Sequence, residues 1–244
     1  MLGDDLGALL GRRIPSDHSR QTLADAYAGR ALGAGSRVMD LGCGRGDSVD
    51  LFRSLQPEVD WVGVDIEKSA EVAERVRSDA RFVSFDGESL PFEEQSFDFV
   101  YCKQVLEHVR RPEPLVAEVA RVLRPGGWFA GSTSQLEAFH SRSLFNPTPY
   151  GLTVLCEESG LQLVELRPGI DGFTLVAWRA LGMPSFFARW WARESPGNRV
   201  IEAAGRVARL DARTRNQVKL TLCGQFAFLA QRPPDTSPTN SFVD

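Results

Sequence analysis

The chain has 244 residues, 43% of them hydrophobic and 25% charged, with a formal net charge of −4. This composition supports a packed core and excludes global disorder. The slight acidic excess argues against a protein that follows a phosphate backbone, so no nucleic-acid partner is expected. Four scattered cysteines form no Cys-x-x-Cys pair, which excludes a zinc knuckle and favours buried thiols in the cytoplasm. The acidic N-terminus and the lack of a long apolar run predict neither a signal peptide nor a transmembrane segment.

Strands and helices are predicted to alternate along the chain. Residues 17–32 carry apolar side chains at helical spacing, and Asp17 can cap the helix that they form. Strands are predicted at 38–41, 61–65, 81–85, 97–102, 128–132, 161–166 and 225–230, and helices at 47–55, 67–77 and from Pro112 or Pro114 to Pro125. This alternation predicts an α/β protein with a doubly wound, seven-stranded and mainly parallel sheet.

The predicted organisation places a cofactor-binding core between two less regular segments. The segments are 1–35 (helical), 36–167 (core), 168–222 (helical insertion between the last two strands), 223–231 (last strand) and 232–244 (disordered tail). The insertion contains Phe186, Phe187, Trp190 and Trp191, with arginines between and after them. Such a cluster is typical of a core or subunit-interface helix, which would allow a homodimer. A lid, or a face that touches a membrane surface, is the alternative.

A glycine-rich turn follows the first predicted strand. Gly42, Gly44 and Gly46 allow the backbone to approach a ligand closely, and the next helix presents unpaired N–H groups. Asp40 precedes the turn, where it would repel a pyrophosphate but tolerate a ligand that carries an ammonium and a sulfonium. Asp65 ends the second strand, where a carboxylate can accept hydrogen bonds from both hydroxyls of a ribose.

A third acid follows the third strand. Asp86, or the backbone beside it, can bind the amino edge of adenine, and residues 90–92 supply apolar surface for the ring. The alternative is purely structural. The glycines would then form a tight turn without a ligand, and Asp65 and Asp86 would cap helices.

These motifs resemble those of class I S-adenosylmethionine-dependent methyltransferases. The matching segments are VMDLGCGRG (38–46), VGVD (62–65), DGESLPF (86–92) with SFD (96–98), and LRPGG (123–127). The match is closest to the broad group that includes the ubiquinone and menaquinone methyltransferases, and it covers about residues 36–135. It implies a Rossmann-like fold and S-adenosylmethionine as the cofactor, but it does not specify the methyl acceptor.

The resemblance also implies roles for individual residues. The backbone around Gly42 and Gly44 would contact the methionine part, Asp65 the ribose, and Asp86 with Gly87 the adenine edge. The implied cofactor-binding set is Asp40, Gly42, Cys43, Gly44, Asp65, Ile66, Asp86, Gly87, Lys103 and Gln104.

Transfer to a hydroxyl requires a base or a metal ion near the methyl group. The candidates should follow strands four and five, because open α/β sheets bind ligands at the carboxyl edge. Glu107 and His108 follow strand four, and His140 follows strand five. We take His140 as the preferred general base. His108 is either a second candidate or a residue that packs beneath the cofactor.

The acceptor is predicted from the segment 140–151, HSRSLFNPTPYG. It is similar to a segment of methyltransferases associated with polysaccharide biosynthesis, and its polar and aromatic residues suit a saccharide acceptor. O-methylation of a sugar hydroxyl is therefore the leading hypothesis. The alternative acceptors are a quinone, a lipid or a polyketide. The alternative class of protein is a cofactor-binding module without catalysis. Glu107, Glu137 and Asp171 offer oxygen ligands for Mg²⁺, although no spacing defines a metal site.

Overall fold

The computed structural model describes residues 4–30, 32–137 and 141–235. Its strands are β1 (Arg37–Leu41), β2 (Asp60–Ile66), β3 (Arg81–Phe85), β4 (Phe97–Lys103), β5 (Leu123–Ser134), β6 (Gln162–Pro168) and β7 (Gln225–Gln231). They form one sheet in the order β3-β2-β1-β4-β5-β7-β6. The neighbouring strands β3, β2, β1, β4 and β5 are all parallel to one another, and β7 runs antiparallel to both of its neighbours, β5 and β6. The predicted doubly wound, mainly parallel sheet is confirmed.

Helices cover both faces of the sheet. They are α1 (Asp4–Leu10), α2 (Asp25–Ala28), α3 (Ser48–Leu55), α4 (Ala70–Ala73), α5 (Pro112–Val122), α6 (Pro149–Glu158), α7 (Gly172–Ala180), α8 (Pro196–Val207) and α9 (Ala212–Leu222). Successive residues of β1 enter different cores because side chains alternate along a strand. Met39 packs with α5 and α6, whereas Val38 packs with α2 and α3. No helix in the described ranges is both long and apolar enough to cross a bilayer.

The helix predicted over 17–32 is wrong for most of its length, since Asp25–Ala28 is its only helical part among the described residues 17–30 and 32. Asp17 does not cap a helix. Its two carboxylate oxygens accept hydrogen bonds from Arg167 Nη2 at 2.8 and 2.9 Å, and the Arg167 side chain is buried. A buried guanidinium is stable only beside an anion, so the Arg167–Asp17 ion pair helps to hold the segment around Asp17 in place.

The residues between β6 and β7 fold into α7, a short helical turn (Ser185–Trp190), α8 and α9. The buried ammonium of Lys219, on α9, donates to Glu194 Oε1 and to the carbonyl oxygen of Ser19. Asn216 donates to the carbonyl oxygens of Pro15 and His18 at 2.9 and 2.8 Å. Side chains of α9 therefore hold the segment that leads into α2. Residues 236–244 of the predicted disordered tail lie outside the described residues.

Candidate active site

The glycine turn lies between β1 and α3, at the carboxyl edge of the sheet. Gly42, Gly44 and Gly46 have φ angles of +72°, +48° and +84°, in the left-handed region that favours glycine. The backbone N–H of Gly42 donates to Val64 O at 2.7 Å, which ties the turn to β2. A Cβ atom on Gly42 would lie 2.2 Å from Val105 Cγ2, so a larger residue there would force the turn to move.

Asp65 supports the same turn from β2. Its Oδ2 accepts from Gly44 N at 2.7 Å, and its Oδ1 accepts from Ile66 N at 2.8 Å. Burial raises the pKa of Asp65, although the two backbone N–H groups oppose this shift. Each carboxylate oxygen can accept more than one hydrogen bond, so the carboxylate can still accept from ligand hydroxyls.

The apolar side chain of Ile66 and the glycine backbone of Gly87 lie next to each other near Asp65. The Ile66 side chain is exposed, and its Cγ2 lies 3.8 Å from where a Cβ on Gly87 would be. Asp86 Oδ1 accepts from the backbone N–H groups of Glu88 and Ser89 at 2.9 and 2.7 Å. These bonds order the turn after β3 and lower the pKa of Asp86.

Asp40 is buried beneath the turn. Ser48 Oγ donates to its Oδ2 at 2.5 Å, and the same Oγ accepts from Trp61 Nε1 at 3.0 Å. Burial raises the pKa of Asp40 to about 7; the bond from Ser48 opposes this shift and the negative charge of Asp65 adds to it. A cation bound nearby would favour the ionised carboxylate. The buried Asp40, the half-buried Asp65 and the glycine backbone therefore fit a nucleoside that carries positive charge.

Two contacts at this edge were not predicted from the sequence. Asp25 of α2 accepts from Tyr101 Oη at 2.5 Å and from Lys103 Nζ at 3.0 Å, and these bonds lower its pKa. The guanidinium of Arg75 donates to Gly44 O at 2.6 and 2.8 Å. Both contacts join segments distant in sequence, so no local pattern indicates them. Cys43, implied as a cofactor contact, has a buried side chain, and burial raises the pKa of its thiol.

The carboxyl ends of β4 and β5 share a polar network. Gln104 has a φ of +57°, and its side-chain amide lies 3.1 Å from Ser132 Oγ and 2.9 Å from Ser134 Oγ. The buried Glu107 accepts from Thr133 Oγ1 at 2.9 Å. Its neighbour His108 ends the short helical turn Leu106–His108 and is half-buried. His140, the preferred base, lies outside the described residues.

The candidate metal ligands have other partners. Glu137 Oε1 pairs with Arg179 Nη2 at 2.7 Å, and its Oε2 accepts from Gln225 Nε2 at 2.6 Å. Asp171 caps α7 by accepting from Thr174 N at 2.8 Å and Thr174 Oγ1 at 2.6 Å. In the described ranges, no three His, Cys, Asp or Glu side chains are placed to hold a metal ion. The expectation of Mg²⁺ therefore has no support there.

Comparisons with known proteins agree with this geometry. Residues 39–131 match the family described as "Methyltransferase domain". The ubiquinone biosynthesis O-methyltransferase of Thiobacillus denitrificans is 34% identical over 110 residues, which cover 43% of this chain and about half (47%) of that relative. The "Probable S-adenosylmethionine-dependent methyltransferase" of Mycolicibacterium smegmatis is 31% identical over 193 residues, covering 73% of this chain and 67% of that protein.

A solved structure shows the same fold. The Burkholderia thailandensis 1,6-didemethyltoxoflavin-N1-methyltransferase, crystallised with S-adenosylhomocysteine, superposes with a TM-score of 0.53 at 18% identity, over 86% of this chain and 76% of that one. The sheet order, the glycine turn and the acids near the ends of β1 and β2 define a Rossmann-like protein of the class I methyltransferase kind. The chain belongs to the S-adenosylmethionine-dependent methyltransferases.

Proposed function

We propose that the protein transfers a methyl group to a hydroxyl of an aromatic small molecule, such as a quinone precursor. One contrast at the carboxyl ends of β4 and β5 supports this proposal: the buried and half-buried polar side chains there are hydrogen-bonded to one another, whereas several exposed side chains are apolar. Gln104, Ser134 and Glu137 are engaged with one another or with Gln225. Among the exposed side chains that follow β5, Leu136, Leu144 and Phe145 are apolar and stand beside the polar Ser141 and Arg142. An apolar rim of this kind suits a ring better than a saccharide.

The name of the Thiobacillus relative, a ubiquinone biosynthesis O-methyltransferase, supports the same acceptor class. A saccharide would need several polar side chains ready to bind its hydroxyls, because a buried hydroxyl without a partner is costly. The sugar acceptor predicted from residues 140–151 is therefore the second candidate.

The cofactor roles proposed here follow the site geometry. Asp65 would accept hydrogen bonds from the ribose, Ile66 and the Gly87 backbone would flank the adenine, and Asp86 with its turn would bind the adenine edge. The backbone of Gly42 to Gly44 would face the methionine part, with Asp40 below it and the Lys103–Asp25 pair beside it. S-adenosylmethionine supplies an electrophilic methyl group on a positively charged sulfur.

The protein must then remove the proton of the acceptor hydroxyl. We assign this step to His140, with His108 as the alternative, because an imidazole has a pKa suited to proton transfer near neutrality. The proton passes to the ring nitrogen as the acceptor oxygen bonds to the methyl carbon and the carbon–sulfur bond breaks. Glu107 is proposed as a positioning residue, since its carboxylate is buried and bonded to Thr133.

The acceptor class is tested by transfer of a labelled methyl group to catechols, other phenols, oligosaccharides and lipids. We expect kcat/KM for the best phenol to exceed that for any saccharide by about 100-fold or more, since each unpaired sugar hydroxyl costs at least 1 kcal/mol. Transfer to a saccharide at an equal or greater kcat/KM would overturn the aromatic assignment and restore the sugar acceptor.

Asp65→Ala should weaken the binding of S-adenosylmethionine by about 1.5–3 kcal/mol, which is roughly a 10- to 150-fold rise in Kd, because a charge-assisted hydrogen bond is lost. The matched control is Glu67→Ala, which removes an exposed acid just beyond the same strand. Calorimetry measures both variants. An unchanged Kd in Asp65→Ala would exclude the ribose role.

A further inference from the structure

One face of α7 is apolar and open to solvent. Phe173 is 68% exposed and Leu181, one residue past the helix, is 65% exposed. Between them Val176, Ala177 and Ala180 are also exposed, and the spacing places all five side chains on one side of the helix. The face continues into the exposed Met183 and Phe186. We call these seven residues the α7 face. Monomeric soluble proteins rarely leave such a continuous apolar surface uncovered.

The exposed charged side chains of residues 172–193, Arg189 and Arg193, are both positive, whereas the less exposed Arg179 pairs with Glu137. Residues 172–193 contain Arg179, Arg189 and Arg193 but no Asp or Glu, although the whole chain has a net charge of −4. The Arg189 guanidinium lies over the Trp190 ring, 4.6 Å from its centroid, and Arg193 is exposed. Exposed apolar and aromatic side chains with arginines and no acids are typical of segments that lie in an anionic lipid interface.

The α7 face also adjoins the candidate acceptor site. A Cβ on Gly172, at the start of α7, would lie 3.1 Å from Leu136 Cβ, and Arg179 pairs with Glu137 at 2.7 Å. Leu136 and Glu137 directly follow β5, at the carboxyl edge of the sheet. A molecule that leaves a lipid surface beside α7 would therefore meet this edge first.

We propose that the α7 face docks on the surface of an anionic lipid bilayer and that the acceptor enters the site from that bilayer. A second copy of this chain fits the face less well, because a symmetric dimer would oppose two identical patches that carry Arg189 and Arg193 and offer no Asp or Glu from residues 172–193 to pair with them. The delivery of the acceptor rests on the proposed function, whereas the docking does not.

Cosedimentation with vesicles tests the docking without any acceptor. We expect the protein to bind phosphatidylcholine vesicles that contain phosphatidylglycerol, and to bind phosphatidylcholine alone at least fivefold more weakly. The double variant Phe173→Ser/Phe186→Ser should lower the partition coefficient about tenfold or more, because two exposed rings no longer leave water. Arg193→Gln should lower it about fivefold, since one arginine near an anionic surface contributes that much. Val76→Ser is the matched control, because Val76 is 97% exposed but lies after α4.

Three outcomes would overturn the docking: no binding to anionic vesicles, equal binding by the double variant, or binding lost equally in Val76→Ser. A dimer in sedimentation velocity that dissociates in the double variant, without vesicle binding, would assign the face to a second copy instead. Methylation of a soluble phenol without vesicles separates the two proposals. The double variant should retain wild-type turnover in that assay, so a loss of vesicle binding alone leaves the proposed function intact.

Discussion

Replacement of His140 by alanine is expected to lower kcat by about 10²- to 10⁴-fold, the usual contribution of a general base. The acceptor hydroxyl must lose its proton as its oxygen attacks the methyl carbon, and water replaces a positioned imidazole poorly in that step. The Kd of S-adenosylmethionine should change less than twofold, because the proposed cofactor contacts are made by other residues. Single-turnover methyl transfer measures the chemical step, and calorimetry measures cofactor binding.

The other two histidines provide the comparison. His108→Ala tests the alternative base in the short helical turn after β4, and we expect the kcat of this variant to stay within tenfold of wild type. His18→Ala is the control, since His18 lies beside Arg167, with Nδ1 3.3 Å from Arg167 Nη1. The rising limb of the pH–kcat profile should disappear in His140→Ala alone. A 100-fold loss in His108→Ala instead would reassign the base, and wild-type turnover in both variants would exclude a histidine base.

The strands could be predicted closely because most are short apolar runs, and β1, β2 and β4 lie between parallel neighbours on both sides. The predicted 81–85 agrees with β3, and 97–102 is one residue shorter than β4. The fifth strand begins at Leu123 rather than 128, because Leu123 pairs with Phe97 directly after α5 and the pairing with β4 resumes, after an irregularity, between Trp128 and Phe99. The glycine turn and the acids near it lie where the sequence indicates, because the segments 38–46, 62–65 and 86–92 each fall at the end of a predicted strand; their roles towards the cofactor stay predictions.

Several helices were missed although the sequence carries their start signals. Thr148 Oγ1 accepts from Gly151 N at 2.9 Å and Pro149 is the first residue of α6, which is a standard helix start. Asp171 and Asp211 cap α7 and α9 in the same way. These capping residues mark the starts of all three helices in the sequence.

The role of Asp25 could not be predicted, because it depends on tertiary contacts. The buried Arg167 binds Asp17, and Asn216 binds the backbone that follows. Together these contacts carry the chain towards α2, where Asp25 reaches Lys103. Neither partner of Asp25 is near it in sequence. The only local signal was the helical periodicity over 17–32, and the tertiary contacts of this segment outweigh it.

Asp40→Asn should stabilise the protein without cofactor at pH 8 by roughly 2–4 kcal/mol. The pKa of Asp40 is about 7 in the folded protein, against 3.8 as its ordinary value. Between about pH 4 and pH 7 the folded state therefore holds a proton that the unfolded state has lost, so this group lowers the free energy of unfolding as the pH rises. Asparagine has no charge to bury, so its contribution is flat over the same range.

The control for stability is Asp60→Asn, which changes an exposed aspartate at the other end of the sheet and should shift the free energy of unfolding by less than about 0.5 kcal/mol. Urea unfolding at pH 5 and pH 8 measures both variants. The gap between wild type and Asp40→Asn should be larger at pH 8 than at pH 5. An equal gap at both values would show that packing, rather than ionisation, causes the difference.

The same substitution should weaken the binding of S-adenosylmethionine about tenfold or more, because the ionised carboxylate below the glycine turn attracts the positive charge of the ligand. In the wild-type protein the Kd should fall as the pH rises from about 5 to 7, since the cation binds the ionised form of Asp40. Asp40→Asn should lose this dependence. If Asp40→Asn is more stable but binds its cofactor less tightly, Asp40 lowers the free energy of unfolding and at the same time provides electrostatic recognition of the sulfonium. If affinity and its pH dependence survive the substitution, Asp40 serves only the packing of Ser48 and Trp61.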